Sequence, residues 1–146
     1  MTGGIPMKIW QTKFWLIALC VILVMPIIKM AKAADDTEEW HVPPGKSEIA
    51  NPFPSDEKTL ATGKKVYAGE CLSCHGKTGM GDGPKAQELE KKISDLNSKK
   101  VLDQSDGALF WKISTGRKPM PAYKKLLSDE ERWAVVDYMR KLCQPK

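Results

Sequence analysis

An all-α domain of about four to five short helices, preceded by an extended acidic arm, is the architecture this sequence predicts. Three observations predict it. Apolar residues recur at helical rather than alternating spacing, a capping residue or proline opens each such run, and four prolines fall in one acid-rich stretch ahead of them. The 146 residues are 42% hydrophobic and 28% charged, which excludes a collagen-like, low-complexity or wholly disordered chain and fits one domain.

Residues 1–33 read as a leader. Lys8 and Lys13 precede an apolar run from Phe14 to Ile28, and Ala31-Lys32-Ala33 stands before the acidic Asp35 and Asp36. A basic start, an apolar middle and an A-x-A site are the parts of a secretory signal peptide, with cleavage expected after Ala33. The alternative is an uncleaved membrane anchor, for which the run is short of the roughly 20 residues a bilayer-spanning helix needs. Pro26 also interrupts it, and Leu19 before Cys20 suits lipoprotein processing poorly. The functional part is therefore expected to be exported to the periplasm, either free or held at the membrane. The formal net charge of +5 comes largely from the four lysines of this leader.

Residues 34–57 carry seven acidic residues against the single Lys46, together with Pro43, Pro44, Pro52 and Pro54. Prolines exclude a helix interior or a central strand, so an extended arm is expected, with Trp40 and Phe53 touching the domain. Residues 58–146 hold 18 Lys+Arg and 11 Asp+Glu. This basic body suits an acidic protein partner more than a nucleic acid, because its lysines are scattered pairs with no base-reading motif.

Within the body, Ser55 can cap a helix from about Asp56 to Ala68, with Leu60, Gly63, Val66 and Tyr67 on one face. Pro84 suits the first turn of a helix carrying Ala86, Leu89 and Ile93. Ser105-Asp106 opens a third helix that Gly116 ends. Ser128-Asp129-Glu130-Glu131 is a capping box for a last helix, whose apolar face is Val135, Tyr138, Met139 and Leu142.

The chemistry is concentrated in Cys71-Leu72-Ser73-Cys74-His75, the C-x-x-C-H pattern of c-type haem attachment. Residues three apart on a helical turn lie within about 5–6 Å at Cβ, so both sulfurs can reach one porphyrin edge and form thioethers. His75, the next residue, is placed to bind the iron. One of only two histidines directly follows the only C-x-x-C, and haem attachment leaves Cys143 as the one thiol of the mature chain not used. A thioredoxin-like pair would follow a strand in a βαβ setting, which is missing here. Zinc would need further Cys or His, and only the distant His41 and Cys143 remain. A plain disulfide would leave His75 without a purpose.

Met120 is the candidate for the sixth iron ligand. It stands 45 residues after His75 in the stiff stretch Lys118-Pro119-Met120-Pro121 between two helices. Met80 lies only five residues from His75, and Met139 falls on the apolar face of the last helix. An open or His41-ligated iron is the alternative.

Residues 58–146 resemble a class I cytochrome c domain of the compact bacterial kind, found in monohaem carriers and respiratory-complex subunits. The matching residues are Gly63, Tyr67, the C-x-x-C-H motif, Gly79-Met80-Gly81-Asp82-Gly83-Pro84, Ser105-Asp106-Gly107, Ile113, Gly116, Met120-Pro121 and Glu131-Arg132-Trp133 through Tyr138. The resemblance implies that Gly63 and Tyr67 meet the last helix at Val135 and Tyr138. It also implies that the Pro84 carbonyl accepts the His75 Nδ1–H and orients the ring. Tyr67, Leu89, Phe110 and Ile113 are then expected to line the haem pocket, with Ile93, Leu96 and Leu109 extending its apolar wall. The acidic arm has no counterpart in this likeness.

The expected function is one-electron transfer outside the cytoplasmic membrane, as a carrier or respiratory-complex subunit, with no catalytic residue. Met/His ligation raises the haem potential relative to a bis-histidine site, and Lys77, Lys118 and Lys124 are candidates for steering a partner. A peroxidase-like haem enzyme would need an open distal side, and a haem-based ligand sensor would need Met120 to be displaceable. The leader reading predicts an intact mass for the exported protein that starts at Ala34 and includes one haem; a mass retaining residues 1–33 would instead establish the anchor.

Overall fold

The computed structural model describes residues 39–143. The expected leader and the acids Asp35, Asp36 and Glu38 lie outside the described residues. Helix α1 (Glu57–Val66) opens on Asp56, whose carboxylate accepts the Thr59 N–H at 2.8 Å. The cap is thus one residue later than the expected Ser55, because Asp56 is the residue whose side chain reaches the third N–H of the helix. Gly63, Val66 and the following Tyr67 form the buried face, as the spacing requires.

The helical path does not stop at Ala68. A widened π turn (Tyr67–Cys71) leads directly into α2 (Leu72–His75), so one rod runs from Glu57 to His75. Gly76, with φ +78°, ends it in a conformation open to glycine but strained for other residues.

After the rod, Pro84–Glu88 forms only a 3₁₀ turn with Pro84 at its start. The longer helix expected through Ile93 is absent. Leu89 turns extended, and the chain packs the Ile93 carbonyl over Gly81 before Leu96 N–H bonds to the Gly79 carbonyl at 2.7 Å. These tertiary contacts override local helix preference. Helix α3 (Lys99–Leu102) is a single turn that sequence periodicity did not indicate. Helix α4 (Asp106–Thr115) is capped by Ser105, which accepts the Ala108 N–H at 3.2 Å, and ends at Gly116. A 3₁₀ turn (Tyr123–Lys125) precedes α5 (Asp129–Leu142). Both halves of its capping box are made: Glu131 N–H to Ser128 Oγ at 3.1 Å, and Ser128 N–H to the Glu131 carboxylate at 2.9 Å. Among the described residues there is no strand beyond one isolated bridge, and no helix long and apolar enough to cross a membrane.

The core forms where α1 crosses α5. A Cβ on Gly63 would fall onto the Ala134 carbonyl, 2.6 Å from its carbon and 2.8 Å from Tyr138 Cβ. Tyr67 packs on Tyr138 with ring centroids 5.5 Å apart, and Val135 and Val136 are wholly buried. The expected Gly63/Tyr67 approach to the last helix is present, with Ala134 and Tyr138 as the touching residues. Helix α4 closes the other side through Leu109 and Ile113, while Phe110 stacks on Trp133 at 4.2 Å. The Arg132 guanidinium lies 4.6 Å from the Phe110 ring and bonds Ser114 and Asp129. Cys143 is buried, its sulfur 2.9 Å from where a Gly79 Cβ would stand.

The acid-rich segment is not loose between residues 40 and 53. Ser105 Oγ donates to the Ser47 carbonyl at 2.6 Å, the carbonyls of Lys46, Ser47 and Ile49 close over Gly107, and Asn51 Nδ2 donates to Asp137 at 3.2 Å. Phe53 packs against the core and Trp40 meets Trp111, so both arm aromatics touch the body as expected.

Gly63→Ala is expected to destabilise the fold by at least about 1–3 kcal/mol, because backbone rather than a flexible side chain must yield. The measurement is a lower urea midpoint with unchanged slope. The caps carry a pH signature as well. Backbone N–H bonds hold Asp56 below 3.8 and Glu131 below 4.5, so their contribution is full above those values and is lost as pH falls through the lowered ones. Glu131→Gln, which removes the titrating acceptor of the Ser128 N–H, should therefore destabilise at neutral pH and cost less in acid, read as a urea-midpoint difference that shrinks as pH falls.

Candidate functional site

The rod delivers its last turn, Cys71 to His75, to one wall of a cleft. Cys71, Cys74 and His75 line it together with Glu70, Pro119, Met120, Pro121 and Tyr123. Leu89 and Ile93, from the extended stretch after the 3₁₀ turn, provide apolar lining. The cleft holds about 380 Å³ of non-atom space, the solvent at its open mouth included. Two sulfurs, one imidazole and one thioether, separated by up to 49 residues of sequence, thus face one space.

Each side chain is held by its own local bonds. The Tyr67 hydroxyl donates to the Gly76 carbonyl at 2.8 Å and fixes the turn directly behind His75. Gly81 N–H bonds the His75 carbonyl at 2.9 Å, and Gly83 N–H bonds that of Cys74 at 3.1 Å. A side chain on Gly83 would strike the Leu72 carbonyl at 2.6 Å, so this loop can fold under the motif only without a Cβ. Met120 sits in a turn closed by reciprocal backbone bonds with Arg117, 2.9 and 3.0 Å long. The Tyr123 hydroxyl then donates to the Glu70 carbonyl at 3.0 Å, joining the methionine loop to the π turn that carries Cys71.

The electrostatics fit a porphyrin with a metal and fit a redox thiol pair poorly. Burial, followed by the charge of Glu70, pushes the Cys71 thiol up to about 12, so it is protonated at neutral pH. A nucleophilic C-x-x-C thiol needs the reverse shift. Burial also lowers the His75 pKa, which keeps the ring neutral and able to bind metal. Its Nδ1 is buried with no hydrogen-bond partner; the Ser94 backbone is near enough to oppose the shift but not placed to bond that nitrogen. Cys71 and Cys74 are both free thiols. Among the described residues no cluster of three or more His, Cys, Asp or Glu could hold a bare metal ion. Two thiols, one imidazole and one thioether on a single cleft fit a group held by sulfur at its edge and by nitrogen and sulfur at its metal.

The other residues expected at the site are distributed differently. Leu89 lines the cleft, whereas Tyr67, Phe110 and Ile113 are taken up by the core: Tyr67 against Tyr138, Phe110 against Trp133, Ile113 buried in α4. The expected bond from His75 Nδ1 to the Pro84 carbonyl is not made, because Pro84 is drawn into the 3₁₀ turn while Nδ1 stays unpartnered. Met80 is half exposed and Met139 is core, which leaves Met120 as the methionine lining the cleft. His41 is exposed in the arm. Tyr123 and Glu70 were missed by the sequence reading. An aromatic among lysines, three residues past Met120, is the clue that could have found Tyr123.

Comparisons with known proteins cover the part of the chain that carries these residues. A family model described as cytochrome c oxidase, cbb3-type, subunit III matches residues 58–139. Cytochrome c6 of Leptolyngbya boryana is 32% identical over 79 residues, covering 54% of this chain and 87% of that protein. Cytochrome c6 of Euglena gracilis is 30% identical over 79 residues, covering 53% and 85%. A chain from the reducing HAO-like protein complex of Kuenenia stuttgartiensis superposes with a TM-score of 0.59 and 37% identity. That match covers 65% of this chain and 48% of the other, so this chain spans about half the length of that one.

Tyr67→Phe should leave the Gly76 carbonyl without its donor and lower stability by about 1 kcal/mol. The check is denaturation of the haem-loaded protein beside Tyr138→Phe, which removes no hydroxyl bond to the motif.

Proposed function

The chain belongs to the cytochrome c family represented by the cbb3-type oxidase subunit III domain, and from that membership we propose that it passes electrons between redox proteins outside the cytoplasmic membrane. It is a monohaem c-type cytochrome carrying one covalently bound haem c with its iron, as a carrier or a complex subunit. The finer reading is a respiratory role in the periplasm with no catalysis of its own. The single observation that carries it is the convergence of residues 71–75 and Met120 on one largely apolar cleft.

When bound, haem c supplies a metal that cycles between Fe(III) and Fe(II), one electron at a time. The chain's residues do the rest. Cys71 and Cys74 would add their S–H groups across the two vinyl bonds and fix the ring to the end of the rod. His75 and Met120 would hold its iron, one through an imidazole nitrogen and one through a thioether sulfur. Leu89 and Ile93 keep the cleft apolar, which disfavours the added charge of the oxidised metal and raises the potential.

Exposed cations are sequence neighbours of the residues that line the cleft. Lys118 precedes Pro119 and Lys124 follows Tyr123, both neighbours lining the cleft, and Lys77 stands exposed two residues after His75. Such cations attract an acidic partner surface and shorten its search without adding much affinity. Leu126, 67% exposed and two residues after Lys124, offers such a partner an apolar contact.

Met120→Ala is expected to lower the midpoint potential or to leave high-spin iron, with the haem still covalent by an alkaline pyridine assay. An unchanged spectrum would remove Met120 from the ligand set. The association rate with an acidic redox partner should fall steeply as salt rises, because the Debye length shrinks from about 30 Å at 0.01 M to about 8 Å at 0.15 M. A flat salt dependence would exclude steering by these lysines.

A further inference from the structure

The turn that carries Met120 is tied down on two sides. On one side the Tyr123 hydroxyl reaches the Glu70 carbonyl at 3.0 Å. On the other side stands Arg117, the residue that exchanges both backbone bonds with Met120. Its guanidinium lies 5.1 Å from the centre of the Trp40 ring. Trp40 belongs to the acid-rich arm, 77 residues away in sequence.

The same ring meets Trp111 edge-on at 6.4 Å and has the Lys112 ammonium 5.6 Å from its centre. Two cations from the body therefore converge on one indole, whose electron-rich face attracts both. Lys112 and Arg117 repel each other: the Arg117 charge helps lower the Lys112 pKa, after burial, and only Glu39 opposes it among the groups acting there. The indole is thus shared between the two positive groups, of which Lys112 also donates to the Gln104 side chain and Arg117 belongs to the methionine turn. Further along, Ser47 and Asn51 fasten the arm to Ser105 and Asp137, so Trp40 is the end of a strap anchored along α4 and α5.

We propose that Trp40 is a positioning residue for the methionine turn, holding Arg117 so that the N-terminal arm sets how firmly Met120 stays in the cleft. This rests on the reading of Met120 as an iron ligand. The arm thereby acts on the potential and ligand exchange of a haem that it does not touch through the residues lining the cleft.

The test uses the haem-loaded full-length chain with Trp40→Ala, Trp40→Phe, Asn51→Ala and Met120→Ala. Hydrogen exchange at the Arg117 and Met120 amides reports the turn itself. Imidazole binding to the ferric protein and the midpoint potential report the ligand. Trp40→Ala is expected to speed exchange at both amides and to tighten imidazole binding about three- to tenfold, with a lower potential. Trp40→Phe, which keeps an aromatic face, should recover most of both effects. Asn51→Ala, which loosens the arm at Asp137 only, should change neither. Wild-type exchange and imidazole binding in Trp40→Ala would overturn the proposal, as would an equal effect from Asn51→Ala. If Met120→Ala leaves imidazole binding unchanged, the ligand reading fails instead, while the amide exchange still decides whether Trp40 holds the turn.

Discussion

Two helices reach backbone contact only where one of them lacks a side chain, and Gly63 provides that place against the Ala134 carbonyl of α5. The contact fixes the depth and angle of the whole rod from Glu57 to His75. Tyr67, one turn on, repeats the registration by packing on Tyr138, and its hydroxyl carries the constraint past the π turn to the Gly76 carbonyl. The position of the two sulfurs and the imidazole is thus set by a helix crossing about two to three turns away. The π turn adds a residue to the rod between that crossing and the motif, which rotates Cys71, Cys74 and His75 relative to the buried face of α1.

The cleft is assembled from three parts of the chain that share no secondary structure. The rod brings the nitrogen and the sulfurs, an extended stretch brings Leu89 and Ile93, and the turn after α4 brings Met120. Two long-range bonds keep these parts in register: Leu96 N–H to the Gly79 carbonyl, and the Tyr123 hydroxyl to the Glu70 carbonyl. Much of the lining is therefore loop, and the regular helices serve mainly to hold the loop ends. This division suits a site filled by a rigid planar group, because the group itself completes a core that 105 described residues leave open on one side.

The parts of this arrangement visible in the sequence are those governed by local chemistry. The C-x-x-C-H motif, the Ser105 and Ser128 caps and the helical face of α5 each depend on residues within a few positions of one another. Met120 could be singled out because prolines flank it and because the other methionines had local reasons to be elsewhere. What local reading misplaced depended on tertiary contact. The stretch after Glu88 gives up its helix to bond Gly79, and the Asp56 cap wins over Ser55 by the reach of its carboxylate. The contacts of Tyr67 with Tyr138 and of Phe110 with Trp133 are likewise set by helix crossings that no spacing records. The arm shows the same limit: its prolines exclude a helix, but nothing in its composition says that it straps the body.

The third thiol is enclosed. Cys143 closes the last helix with its sulfur tucked behind the glycine at position 79, where that residue's missing side chain leaves just enough room. The three cysteine thiols among the described residues could pair with one another or with a neighbour wherever oxidation is possible. Docking the final helix puts one sulfur beyond reach and leaves the other two at an accessible groove. Selectivity among chemically equal thiols is in this way decided by geometry before any enzyme that modifies them has to choose.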